Sequence, residues 1–242
     1  MTMKKINQLA ILLALLIGFT VTAQQKIDGN GKVVSETRMT SAYDAIKISG
    51  FFDVDLVAGK EGKITIEGEQ NIISAIVVEV VDNTLKIYTK KGMNLRPSTG
   101  NKVELIVPFE KISELSLSGS GDITAQSPIK NDKFTAKLSG SGDIDLNVIS
   151  NSFDLSLSGS GDIKLKGNSA NISIKLSGSG DIEATNLKSK IANITVSGSG
   201  DVAVNCNESL TARVSGSGDV KYTGNPQKRD AKVTGSGSIS KA

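Results

Sequence analysis

The chain has 242 residues, with 28 Lys and Arg against 25 Asp and Glu, and it contains one cysteine, no histidine and no tryptophan. Without histidine there is no Ser-His-Asp or Cys-His nucleophilic site, no histidine metal site and no imidazole base. The net charge of +3 becomes +1 once Lys4 and Lys5 of a leader are set aside, which leaves no basic surplus to suit nucleic acid or an anionic membrane.

Residues 1–23 read as a secretory signal peptide. Lys4 and Lys5 form its charged start, Leu9 to Phe19 its apolar core, and Val21 to Ala23 a small-residue cleavage site. The apolar core is too short for a membrane-spanning helix, and no cysteine follows the cleavage site to carry a lipid. The mature chain, starting near Gln24, is expected to be exported to the periplasm, the outer-membrane surface or the extracellular space, with no integral membrane segment. The lone Cys206 has no partner for an internal disulfide and reads as a small buried residue in a return loop.

Residues 24–40 are polar and are expected to form a loose arm, ahead of a single β-solenoid domain over residues 41–242. Its first region, residues 41–114, is strand-rich but less regular. Strands are expected over Ala45 to Ile48, Phe52 to Val57, Lys63 to Glu67, Ile76 to Val81, Thr84 to Thr89 and Lys102 to Val107, with a hairpin turn at Val81 to Thr84. Glu69 to Ile73 is the one helical turn expected, and Lys90 to Asn101, with Gly92, Pro97 and Gly100, the clearest loop.

The second region, residues 115–242, is built on one repeated pentapeptide. SGSGD begins at Ser118, Ser139, Ser158, Ser177, Ser197 and Ser215, and a decayed copy, TGSGS, begins at Thr234. The steps are 21, 19, 19, 20, 18 and 19 residues, a period that signals stacked repeats. Apolar residues alternate on both sides of every copy, as in Phe153, Leu155 and Leu157 before the third turn and Ile163 and Leu165 after it. A period of two puts these on one face of two strands, with Lys164 and Lys175 on the other. Each coil is then strand, turn, strand and return loop, and coils stacked about 4.8 Å apart align like positions into interior columns. The fold class is all-β, a parallel β-solenoid of about 19-residue coils. The stretch ISGFFDVDL at 48–56 repeats the pattern with Phe51 and Phe52 where Ser and Gly stand later, and reads as a diverged first coil.

Together these features resemble the putative autotransporter adhesin, head GIN domain family of exported bacterial proteins. The resemblance is carried by ISGFFDVDL at 48–56, ITIEGEQNI at 64–72, the Val80 to Ile87 segment and the SGSGD series, and it spans roughly residues 40 to 241. It implies a β-helix without the catalytic residues of pectin-lyase-type folds, and an adhesive role.

The outward polar residues recur coil after coil, whereas catalysis needs one asymmetric constellation. The expectation is therefore a non-catalytic structural or adhesion-type binding module without cofactor. The alternatives are a carbohydrate-binding or carbohydrate-cleaving β-helix and a calcium-binding β-roll. The column Asp122, Asp143, Asp162, Asp181, Asp201 and Asp219 resembles a metal ladder, but calcium takes six or more oxygens and each coil has a single glycine turn. Its carboxylates are expected to be structural, accepting hydrogen bonds from serine hydroxyls or turn N–H groups. Specific recognition needs features that do not repeat, and Phe51, Phe52, Lys90, Lys91, Asn94 and Arg96 form the candidate binding surface. The expected partner is a surface ligand, protein or polysaccharide, and not nucleic acid; homo-oligomerisation stays open.

Overall fold

A single strand–turn–strand unit can bury its apolar face only against copies of itself. In the computed structural model, which describes residues 24–242, the copies stack in parallel as a β-solenoid of about seven turns. The leader expected over residues 1–23 lies outside the described residues.

The N-terminal region comprises β1 (Gln25–Asp28), β2 (Val33–Met39), β3 (Ala45–Gly50), β4 (Asp53–Ala58), β5 (Lys63–Glu69), a short helix α1 (Gln70–Ile73), β6 (Ile76–Val81), β7 (Thr84–Thr89), β8 (Met93–Arg96) and β9 (Glu104–Phe109). Two expectations are corrected here. Residues 24–40 are not a loose arm, because β1 pairs in parallel with β8 and β2 pairs antiparallel with β5 along its whole length. The Lys90 to Asn101 segment is likewise interrupted by a strand, β8. Both strands escape a hydropathy reading because they are short or lie at an edge. The inward side of β2 is only half-buried, so Glu36 and Arg38 occupy it beside Val34. Arg38 is useful there, since its guanidinium donates to the carbonyls of Ile73 (2.6 Å), at the end of α1, and Ile76, at the start of β6. The hairpin between β6 and β7 turns at Asp82 and Asn83, both at positive φ, as a two-residue turn requires.

The regular coils follow: β10 (Glu114–Gly119), β11 (Ile123–Lys130), β12 (Lys133–Gly140), β13 (Ile144–Gly159), β14 (Ile163–Gly178), β15 (Ile182–Gly198), β16 (Val202–Gly216), β17 (Val220–Thr223), β18 (Lys228–Gly235) and β19 (Ile239–Lys241). The first coil is β3 and β4, which pair with β10 and β11 in the register Ile48↔Leu117 and Val54↔Ile123. The strands inserted between them, β5 to β9, form a cap at this end. From β13 to β16 the chain stays extended for 15 to 17 residues from one turn to the next, so the expected return loops are themselves paired strand. The slack in the period is taken up there by shifts of register, as between Ala125 and Ile129 or Ala184 and Lys188.

The register aligns Gly119, Gly140, Gly159, Gly178, Gly198, Gly216 and Gly235, so every turn lies on one edge of the stack. Inside, Leu117, Leu138, Leu157, Leu176, Val196 and Val214 form one buried column and Ile123, Ile144, Ile163, Ile182, Val202 and Val220 another. The rings of Phe134 and Phe153 stack with centroids 5.4 Å apart. Cys206 is buried within β16.

These columns set the first test. Ile163 is fully buried while its neighbour Lys164 faces solvent. Ile163→Asp is expected to unfold or aggregate the protein, because the new carboxylate is buried without a partner at a cost of several kcal/mol. Lys164→Asp should melt close to wild type. Equal melting temperatures for the two variants would show that the inward face has been misassigned.

Candidate functional site

The turn edge is held by backbone groups of adjacent coils that come unusually close. A Cβ on Gly142 would stand 1.9 Å from the carbonyl oxygen of Gly121, and Gly140 has φ +135°. The first glycine is needed for its backbone angle and the second for lack of room. That closeness lets the carbonyl of Gly119 accept from both Ser141 N–H (2.9 Å) and Gly142 N–H (3.2 Å), and the pattern repeats up the stack.

The aspartates continue the same spine. Oδ1 of each accepts the backbone N–H of the equivalent residue one coil later: Asp122 from Asp143 (3.0 Å), Asp143 from Asp162 (2.9 Å), Asp162 from Asp181 (2.9 Å), Asp181 from Asp201 (2.8 Å) and Asp201 from Asp219 (2.8 Å). Asp53 of the first coil accepts from Asp122 (3.2 Å) and also pairs with Lys102 (2.8 Å). At the far end Asp219 accepts from the N–H and the hydroxyl of Ser238. The donor is thus the next coil, and not the serines of the same turn. Among the described residues no group of three or more His, Cys, Asp or Glu is arranged to hold a metal ion.

The aromatic pair is placed differently from the candidate surface. Phe52 is fully buried, so it is corrected from a candidate contact to a core residue. Phe51 is half-buried, packed against the core with its ring centroid 5.0 Å from that of Phe52. In register with later turns, Phe52 stands where the second glycine stands in Gly121, and it fills the interior under the cap.

The basic candidates sit on the cap itself. Lys90 and Lys91 are exposed at the turn into β8, where Lys90 donates through N–H to Ala75 (2.9 Å) and through Nζ to the Ser74 carbonyl (2.9 Å). Along β8 Leu95 points inward, which puts Asn94 and Arg96 together on the outer face. Their register partners on β1 are Lys26 and Asp28, which form an ion pair at 2.9 Å.

Glu69 fixes this arrangement, and nothing in a single sequence marks it. It is 1% exposed and follows the alternating run Ile64, Ile66, Gly68, so periodicity alone makes it an ordinary strand-end residue. Its carboxylate accepts from Ser98 Oγ (2.7 Å), from Ser98 N–H (2.7 Å) and from Gly31 N–H. It therefore ties the β1–β2 turn to the loop after β8. The hydrogen bonds from Ser98, the side-chain one foremost, hold its carboxyl below the usual carboxylate range against the opposing effect of burial.

The family model described as "putative auto-transporter adhesin, head GIN domain" matches residues 42–226. The chain belongs to this family. Solved structures share its fold, among them the following three. A putative adhesin from Bacteroides fragilis is 24% identical, with 89% of this chain and 100% of that one covered at a TM-score of 0.83. A putative lipid binding protein from Parabacteroides distasonis is 27% identical, with 90% and 100% covered and a TM-score of 0.71. A putative adhesin from Parabacteroides merdae is 22% identical, with 90% and 99% covered and a TM-score of 0.68. Comparison with curated proteins finds no match. The head GIN match includes Lys90 to Arg96 and leaves β1, β2, β18 and β19 outside it.

Three measurements test the site. Asp162→Asn should melt close to wild type because the amide oxygen still accepts, whereas Asp162→Ala should lose about 1.5 kcal/mol or more with the bond. Melting curves in excess EDTA and in millimolar calcium are expected to coincide, and a rise of more than about 10 °C with calcium would overturn the structural role of the ladder. For Glu69 the folded pKa is depressed, so its stabilisation is complete above the unfolded carboxylate value and is lost as pH falls through the folded one. Glu69→Gln should melt lower than wild type at pH 7, with the gap narrowing below a pH of about 4. A gap that stays constant down to acid pH would show that the charge of Glu69 plays no part.

Proposed function

We propose that the protein is an exported, non-catalytic adhesion-type module in which the stacked coils are a stiff spacer and the N-terminal cap carries the ligand-binding surface. Lys90, Lys91, Asn94 and Arg96 are the contacts on that cap, joined by Lys26. The partner is a surface ligand, an acidic polysaccharide or protein, because the cap offers cationic side chains and an amide. It works in the periplasm, on the outer-membrane surface or outside the cell.

The observation that carries this reading is the anchoring of an irregular loop by a buried carboxylate. Glu69 orders the segment after β8 without using any of the exposed cations. The coils, in contrast, present rows of Ser, Asp and Lys with nothing to mark one from the next, and specificity needs features that do not repeat. Membership of a family named for adhesins supports the same reading.

Because β8 pairs with β1 and Ser98 with Glu69, deleting the segment would disrupt the cap, and point substitutions are the sharper test. Lys90→Ala/Lys91→Ala/Arg96→Ala should keep its melting temperature and lose at least about tenfold in retention on immobilised polygalacturonate, a drop of roughly 1.4 kcal/mol. Attachment of labelled protein to intact cells should fall in parallel. Undiminished binding of the triple variant in both assays would move the site onto the coils.

A further inference from the structure

The last coil departs from the others at interior positions. In the register of β16 with β18, Leu210 is followed by Arg229, and in that of β17 with β19, Tyr222 is followed by Lys241. The first of these columns is apolar from β12 to β16, running Phe134, Phe153, Ile172, Ala192 and Leu210. Its final member is a guanidinium. That group lies 5.4 Å over the ring of Tyr222, and its Nη2 donates to the Ile239 carbonyl (3.3 Å). Arg229 thus reaches from β18 across the end of the core to β19.

The same end lacks the device that receives another coil. Every earlier turn offers an aspartate Oδ1 to the N–H that comes next, but position 238 is serine, and its hydroxyl is turned back to Asp219. Val233 is 38% exposed where Val214 beneath it is 3% exposed, so apolar surface and strand edges remain open at this face. An open parallel edge with apolar surface is a template for pairing with another chain, and inward-pointing charge is one way that proteins close it. A copy stacked on this face would sandwich the cations of Arg229 and Lys241 between apolar columns without a counter-charge, which is strongly unfavourable.

We propose that Arg229 and Lys241 form an end cap that keeps this face of the solenoid from pairing with a second copy of the chain. Pairing, once the cap is removed, would be tail to tail about a two-fold axis. The opposite end of the stack finishes in the antiparallel strands of the cap that covers Phe52, and it presents no turn edge to complete a head-to-tail contact.

The test compares wild type, R229L/K241V and the charge-preserving R229K by sedimentation equilibrium over a range of protein concentration. R229L/K241V is expected to self-associate at least about tenfold more tightly than wild type, its weight-average mass rising toward twice that of the monomer. R229K should behave as wild type does. A folded R229L/K241V whose mass follows that of wild type at every concentration would overturn the proposal, as would a wild-type dimer that the two substitutions dissociate. Should the apolar pair fail to fold, R229A/K241A removes the same two charges and is read in the same way.

Discussion

Everything in this solenoid depends on how closely consecutive turns approach. With about 2 Å between a glycine Cβ position and the carbonyl of the coil before it, no other residue fits. Close approach lets one carbonyl accept two N–H groups and one aspartate reach the next amide, so turns bind turns without side-chain packing. Strand registers follow from that edge, and interior columns follow from the registers. The carboxylates repeat along an edge that is largely open to water, where neighbouring charges about 4.8 Å apart repel by under about 1 kcal/mol. A hydrogen bond to a charged acceptor is worth more than that.

The turn is also directional, and its two ends decay differently for that reason. A glycine answers to the coil before it, and the aspartate answers to the coil after it. The first coil, which has no glycine turn before it, puts Phe52 at the second glycine and keeps Asp53. The last coil keeps Gly235 and Gly237, whose Cβ positions would meet Gly216 and Gly218, and replaces the aspartate with Ser238. The lost glycine has no earlier glycine turn to fit against, and the lost aspartate has no later turn amide among the described residues to bind.

Between these ends the two halves of the molecule are built under different constraints. The coils are uniform because stacking demands that like residues meet, and that uniformity suits a spacer. The cap is free of the demand. There Glu69, Arg38 and Tyr43, whose hydroxyl donates to the Pro108 carbonyl, organise loops by individual polar contacts. Burial, with the charge of Glu61 adding to it, raises the Tyr43 pKa far above the phenol range, so its hydroxyl stays a donor at any physiological pH. An irregular surface held by buried polar groups can be both specific and fixed, which is what a binding site requires.

The coil, the interior columns and the single turn edge were legible in the sequence, since a residue that must match its neighbours above and below leaves a period that can be read. The apolar alternation before and after each SGSGD settled which side chains face inward, and the diverged first coil at Ile48 to Leu56 was recognisable by its Ser, Gly and Asp. Other features were decided only in three dimensions. Strands β1, β2 and β8 pair with partners 24 to 68 residues away in a cap with no repeat, so no periodicity announces them. Phe52 became a core residue because the cap closes over it, and Glu69 became an anchor because two distant loops converge on it. The aspartate ladder takes its donor from the following coil, a contact that exists only once the coils are stacked.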